Sequence, residues 1–538
     1  MGKLKKSSFL EGAFIATVCI FISKILGIIY VIPFKKIIGD DGGALYGYAY
    51  NIYNIFLTIS SVGIPFAICK LASEYDALGL TEKKVRMYRL ATRIIASFSI
   101  ISFLICFFFA GPLSKLIIGD IEGGNTFEDV KFVIRCIAFT LLIVPLLSIK
   151  RGYLQGHKYI SQPSISQVIE QLVRIIVILI GSYLFVFVFK LPIRFAVGIS
   201  VFAAAVGGFT AYLYLSKTVR RNKEDLSLNI KASDTSLDKT IIKDIILCSI
   251  PFIIINLANT LYTSTDMILV LHTLPRIGFT GKETEFISSV FTTWGTKFNA
   301  IITAVSTGLI VSLIPNIVHD YTCKDFELVN TNFNKCLKII LLIIAPLSLF
   351  ISLEADNFWT VFYGQNKTGS SIIKFTIIVT IFDCLYMVLN SLLQSLNKKH
   401  IIYKSVITGL VINLVLDVPF MYLFKFLGLK AFYGAITATL VGFLVSNTMS
   451  LLYLKKNMAI TFTETLKALP RALFSYAVLI LLCTVFNRFA ISGGSRVKSM
   501  LFIVASGIII GGVYILINFR ELKTVLPEKL LRKLKLIK

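Results

Sequence analysis

Lys24 is the first residue of this chain placed where chemistry is costly. It lies in Ser23-Lys24-Ile25-Leu26-Gly27 and is the one charge between Gly12 and Phe34, in an apolar run that begins at Phe9. About 26 residues at ~1.5 Å rise reach ~39 Å, enough to cross ~30 Å of hydrocarbon with tilt. A cation at that depth costs roughly 2.5–3.5 kcal/mol on insertion scales, so it is expected to face a partner or a wet cavity. Snorkelling of the long stem to the interface is the competing reading. Two more cations share the pattern. Arg174 follows Glu170 at i, i+4 on one helix face, with Gln167 and Gln171 extending a polar stripe. This is either an internal ion pair that cancels two buried charges or a cavity face tuned by Glu170. Lys297, beside Trp294, Thr296 and Asn299, lies a turn or two from the end of its span, where snorkelling is again the alternative. Separated cations near one volume suit a diphosphate, whose oxygens accept charge-assisted contacts. Arg135 lies nearer a span end and reads as interfacial.

The acidic residues have a different chemistry. Asp266 has Asn256, Asn259 and Thr265 nearby, Asn413 and Asp417 stand at i, i+4, and Thr437 and Thr439 open the following span. Carboxylates with neutral oxygen donors fit a hard cation such as Na+, or a proton relay. Helix–helix hydrogen bonding explains the same residues without an ion. Asp383 has no evident partner in the sequence.

The elements that must position these groups are membrane spans. Of 538 residues 56% are hydrophobic and 43 are Phe, and the mean hydropathy is +0.80. Apolar runs of span length recur throughout, which gives an all-α polytopic membrane protein of about fourteen transmembrane helices. The first is expected over 9–34, the fifth over 163–189, the seventh over 245–271 and the eighth over 290–316. The formal charge of +26 then reflects cationic loops that set topology and meet anionic lipid, not a nucleic-acid partner. With both termini cytoplasmic, about 36 Lys/Arg fall inside and about 15 outside. The inner set includes Lys3, Lys5, Lys6, Lys150, Arg151, Lys158, Lys217, Arg220 and Arg221. The outer loop 119–129 is acidic instead, with Asp120, Glu122, Glu128 and Asp129. Met1 to Lys6 and the long run after it read as an uncleaved first span rather than a signal peptide.

A weak internal repeat divides the chain. Gly63-Ile64-Pro65 is echoed by Leu313-Ile314-Pro315, Leu116 to Gly119 by Val361 to Gly364, and Tyr153 to Gly156 by Leu392 to Ser395. The order and topological side agree, as in a parallel repeat. The expected organisation is two pseudo-repeated lobes plus two C-terminal helices. The N-lobe spans 1–216, a polar cytoplasmic linker 217–244, the C-lobe 245–455, and the final spans with a basic tail 456–538. Enzymes fit poorly. There is no P-loop, G-x-S-x-G, HExxH or CxxC, the nine cysteines are scattered, and no loop is large enough for a catalytic domain.

At this point the chain resembles the multidrug/oligosaccharidyl-lipid/polysaccharide exporter superfamily. Within it, the likeness is to the polysaccharide-biosynthesis branch, which holds the stage V sporulation protein B group and the MurJ-like lipid II flippases. Three stretches carry the resemblance: Ser23 to Gly27 with Ile38-Gly39, Gly63 to Ala67 with Lys70-Leu71, and Arg151 to Gly156 running into Ser166 to Arg174. It implies two lobes with alternating access, a cationic cavity and a lipid-linked saccharide as cargo in a bacterial cytoplasmic membrane. Lys24 and Lys297 match basic residues of that family, and Asp266, Asn413, Asp417 and Thr439 resemble its sodium site. The C-terminal helix pair is expected to line a groove for the lipid tail, and cell-wall synthesis proteins are candidate partners. Two arginine features of the proteobacterial members are missing, at Tyr30-Val31 and near Leu57-Thr58. A cation-coupled multidrug exporter and a non-transporting scaffold for wall or spore assembly are the rival functions.

Overall fold

The computed structural model describes residues 9–119, 124–157, 159–229, 238–458, 460–489 and 495–525. Lys3, Lys5, Lys6, Asp120, Glu122, Lys158, linker residues 230–237 and the tail past Val525 lie outside the described residues. Among the described residues the secondary structure is helical, and packing divides the chain into two units, Met1–Trp294 and Gly295–Lys538.

The first unit opens with α1 (Phe9–Ile29) and α2 (Val31–Leu57). The helix expected over 9–34 is interrupted at Tyr30 only by a missing backbone bond, the chain keeping helical form there, and leaves helical form at Gly39 (φ 69°) inside α2. Pro33 explains the missing bond, because it has no N–H to give the Ile29 carbonyl. A π-helical turn, Thr58–Gly63, leads to α3 (Ile64–Ala77), followed by α4 (Thr81–Phe108) and the nine-residue α5 (Ala110–Ile118). Next come α6 (Phe127–Ala138), α7 (Thr140–Gly156), α8 (Ser161–Tyr183) and α9 (Ile193–Arg221). The unit closes with α10 (Asp238–Ile277), α11 (Gly281–Ser289) and the π turn Val290–Trp294.

The helices approach closely where side chains are small. A methyl group on Gly152 would lie 2.5 Å from the Pro65 carbonyl oxygen, and one on Gly156 would lie 2.8 Å from that of Cys69. Gly152 and Gly156 thus form a small-xxx-small face that lets α7 pack on the backbone of α3. Ser73 Oγ donates to the Gly156 carbonyl at 2.8 Å, adding a polar contact at the same seam. Around it Ile68, Tyr75, Met87, Leu147, Tyr153 and Leu215 form a buried core. The linker enters this core as well. Leu226 is fully buried and its carbonyl accepts from the Tyr153 hydroxyl at 3.1 Å. At the linker's far end Arg86 grips Asp238 through both carboxylate oxygens at 2.6 Å.

The second unit contains α12 (Thr296–Ser312), α13 (Ile314–Thr322), α14 (Phe326–Ile339), α15 (Ala345–Leu353) and α16 (Ala355–Tyr363). They are followed by α17 (Lys367–Ser395), α18 (Lys399–Phe426), α19 (Phe432–Met458), α20 (Thr463–Phe489) and α21 (Arg496–Val525). A π turn, Ile340–Ile344, joins α14 to α15. Such a turn disturbs the regular carbonyl pairing of the helix. Here the Tyr514 hydroxyl donates to the Leu342 carbonyl at 3.0 Å and the Tyr476 hydroxyl to that of Leu341. The C-terminal pair, α20 and α21, is thereby fastened to α14 and α15. Lys338, buried on α14, adds ion pairs to Glu464 at 3.5 Å and Glu521 at 3.7 Å.

The repeat is visible as matched local structure within each unit. α5 and α16 are both nine residues long and end at Gly119 (φ 54°) and Gly364 (φ 85°), a left-handed cap that favours glycine. α3 and α13 both begin at an Ile-Pro pair, and Leu154-Gln155 and Leu393-Gln394 close α7 and α17. Twelve helical stretches among the described residues are long and apolar enough to cross a membrane. α1 and α12 occupy the remaining two of the fourteen expected places. α12 is only 17 residues long, because the chain leaves helical form at Gly295 and again at Leu313 before Pro315.

Candidate functional site: a charged cluster on α8 and an oxygen-donor face on α18 and α19

Within the first unit the polar stripe of α8 carries the chemistry. Glu170 Oε1 accepts from Arg174 at 2.6 Å, as the i, i+4 spacing implies, while Glu170 Oε2 pairs with Arg151 of α7 at 2.9 Å. One carboxylate is shared by two guanidiniums, and the cluster keeps a net charge of about +1. Arg151 is held in turn by Ser166, whose hydroxyl accepts from Nε at 2.8 Å. The three charged side chains are 12–21% exposed. Burial at this level makes such hydrogen bonds stronger than at a free surface. Gly207 of α9 permits the packing, since a methyl there would lie 2.6 Å from the Glu170 carbonyl oxygen. From α2, Tyr50 and Tyr53 lie within electrostatic reach of Arg174, and Tyr46 and Tyr50 have ring centroids 4.5 Å apart.

Lys24 is half-buried on α1, which packs against α8. Gly27, on the same face one turn later, meets the Gln171 amide, and a methyl on it would lie 3.3 Å from Nε2. Lys24 and Arg174 therefore stand on helices that pack against one another in the first unit. The sequence reading places Arg151 only among the cytoplasmic cations, whereas its side chain joins the Glu170 cluster. Its signal was its place in the run Arg151 to Gly156, just ahead of the α8 motif. Lys35, on α2, is a further cation that the sequence reading does not single out. It pairs with Asp40 at 2.7 Å and lies 5.4 Å from the Trp294 ring. Asp266, on α10, is buried in this unit. Arg135, within the membrane-length stretch Phe127–Gly156, donates through Nε to the Phe107 carbonyl at 3.3 Å.

In the second unit Lys297 is half-buried in the first turn of α12, one residue before fully buried Phe298. Asn413 and Asp417 are fully buried on α18, and Asn413 Nδ2 donates to Thr439 Oγ1 of α19 at 3.1 Å. Three of the four expected ion-coupling residues therefore share one seam. Thr437 is turned to its own helix, donating to the Tyr433 carbonyl at 2.8 Å. Carboxylate, amide and hydroxyl oxygens are the donor types a hard monovalent cation takes, so this seam fits Na+. Asp383 lies mid-helix on α17 and is half-buried.

Long apolar helices in two repeated halves, with charge held inside the spans, define a multi-pass membrane transporter. The chain belongs to the polysaccharide biosynthesis protein family, which it matches over residues 9–306; residues 251–418 also match the MatE family. Together these place it in the multidrug/oligosaccharidyl-lipid/polysaccharide exporter superfamily, on the MurJ-like branch. It is 30% identical to the protein named lipid II flippase MurJ of Bacillus subtilis, over 86% of this chain and 85% of that one. It is 23% identical to stage V sporulation protein B of the same organism, over 73% of this chain and 74% of the other. A solved structure of lipid II flippase MurJ in an inward closed conformation superposes with a TM-score of 0.66 at 13% identity. That match covers 93% of this chain and 99% of the other. The flippases among these relatives are transporters, not enzymes.

Proposed function

We propose that this chain is a flippase for an undecaprenyl-diphosphate-linked saccharide, with lipid II the first candidate, moved from the cytoplasmic to the outer leaflet by alternating access. The observation that carries the reading is the 30% identity over most of both chains to a protein named for lipid II flipping. The charged residues give it a mechanism. Lys24, Arg174 and Lys297 neutralise the diphosphate during transit, and Glu170 holds Arg174 in place and limits its charge. Lysines and arginines inside the spans suit an anionic headgroup and suit poorly the organic cations of a multidrug exporter.

In this reading the lobes 1–216 and 245–455 exchange access, the linker 217–244 joins them, and 456–538 supplies the groove for the lipid tail. Asp266, Asn413, Asp417 and Thr439 couple the exchange to Na+ or a proton, because a bound cation stabilises one state over the other. Both termini are cytoplasmic, and cell-wall synthesis proteins are the natural partners.

The test is binding. The purified chain in detergent should bind lipid II and release it to an excess of undecaprenyl diphosphate, but not to the neutral alcohol. Binding of another prenyl-diphosphate saccharide in preference to lipid II would change the cargo. Binding of organic cations alone would replace the flippase reading with the drug-exporter one.

A further inference from the structure

A second concentration of positive charge lies in the first unit and begins at Lys150, the neighbour of Arg151. Lys150, within α7, and Lys217, Arg220 and Arg221 at the end of α9 line a cavity of about 590 Å3 with Tyr212 and Ser216. That volume is in the range of small-molecule sites, roughly 300–1,000 Å3. Lys150 is half-buried and its Nζ lies 4.5 Å from the Tyr212 ring centroid. Among the described residues none of the four cations makes an ion pair. Glu224 and Asp225, the nearest acids along the chain, are exposed and outside the lining.

The surface around the cavity indicates what fills it. Phe209, 49% exposed, and Leu213, 51% exposed, precede Lys217 and Arg220 on one face of α9 at helical spacing. The same stripe passes from an open apolar surface to cations within about 10 Å. The expected spans end at 149 and 216, so these cations stand at headgroup depth while Phe209 and Leu213 stand in the acyl region. A soluble anion would use the cations alone, whereas a phospholipid also uses the apolar part of the stripe. We infer that this pocket binds the phosphate of an anionic bilayer phospholipid, with an acyl chain lying along Phe209 and Leu213. Basic pockets between membrane helices are suited to such headgroups. The inference does not depend on which cargo the protein moves.

The test is native mass spectrometry of the full chain in mild detergent, titrated with phosphatidylglycerol or phosphatidylcholine. Phosphatidylglycerol adducts should persist in preference to phosphatidylcholine. The double variant Lys150→Gln/Arg220→Gln should lose roughly 30-fold in that binding, the expected loss for two surface cations. Its thermal unfolding and circular dichroism report whether it folds, and if it does not, the single variant Arg220→Gln should show about fivefold weaker binding. Lys455→Ala/Lys456→Ala, which removes exposed cations elsewhere, should leave retention unchanged. Equal retention of both lipids, or retention unaffected by the pocket variants, would overturn the inference. Displacement by millimolar inorganic phosphate would overturn it in favour of a soluble-anion site. Displacement by equimolar undecaprenyl diphosphate but not by phosphatidylglycerol would overturn it in favour of a cargo entry point.

Discussion

At the scale of single residues the account turns on how one carboxylate is shared. Glu170 accepts from Arg174 and from Arg151, so removing it leaves two guanidiniums facing each other in a buried setting. Glu170→Gln should lower stability by about 2 kcal/mol, seen as a reduced unfolding temperature in detergent. The pair at 170 and 174 was legible because i, i+4 spacing fixes a shared face. Arg151 was not, since its contact joins two helices and no local spacing encodes it. Glu285 makes the same point outside the spans. It accepts from the Asn125 backbone N–H at 2.9 Å and from the Asn125 side chain at 3.0 Å, and burial pushes its carboxyl up to about 7. The folded state therefore binds this proton more tightly than the unfolded one. Between about pH 4.5 and 7 stability should fall as pH rises, by on the order of 2–3 kcal/mol. Unfolding temperatures measured across that window should slope downward for the native chain and lie flatter for Glu285→Gln.

At the scale of elements, the motifs that carried the family resemblance turn out in part to be packing motifs. Gly63 to Ala67 begins α3, Arg151 to Gly156 ends α7, and the two meet where Gly152 lies against the Pro65 carbonyl. Gly152→Ala would force the helices apart and should destabilise the protein by about 1–3 kcal/mol. Its unfolding temperature should fall without any change in net charge, while a substitution at exposed Leu213 should not lower it. Helix existence was readable from apolar runs, and helix breaks less so. Gly39 (φ 69°) takes the backbone out of helical form inside α2, and Gly295 with the Pro315 turn leaves α12 only 17 residues. Nothing in an apolar run distinguishes a π turn such as Ile340–Ile344, whose signature is the pair of tyrosine hydroxyls arriving from α20 and α21.

At the scale of the molecule, the repeat was legible because it is written in caps and breaks as well as in apolar residues. Gly119 and Gly364 end matched nine-residue helices, and Ile64-Pro65 and Ile314-Pro315 open matched ones. The candidate site was legible in its charges and obscure in its contacts. Lys24, Arg174, Asn413 and Asp417 stand out as polar residues inside spans, whereas the shared Glu170 and the Asn413–Thr439 bond depend on tertiary packing. The central claim is movement of a lipid-linked diphosphate, and its most direct test is leaflet accessibility of labelled lipid II in proteoliposomes, with and without a sodium gradient. Protein-dependent translocation, reduced at least tenfold in Lys24→Ala with unfolding temperature unchanged, is the predicted result. Full translocation by Lys24→Ala would contradict the charge mechanism, and no translocation by the native chain would contradict the flippase reading.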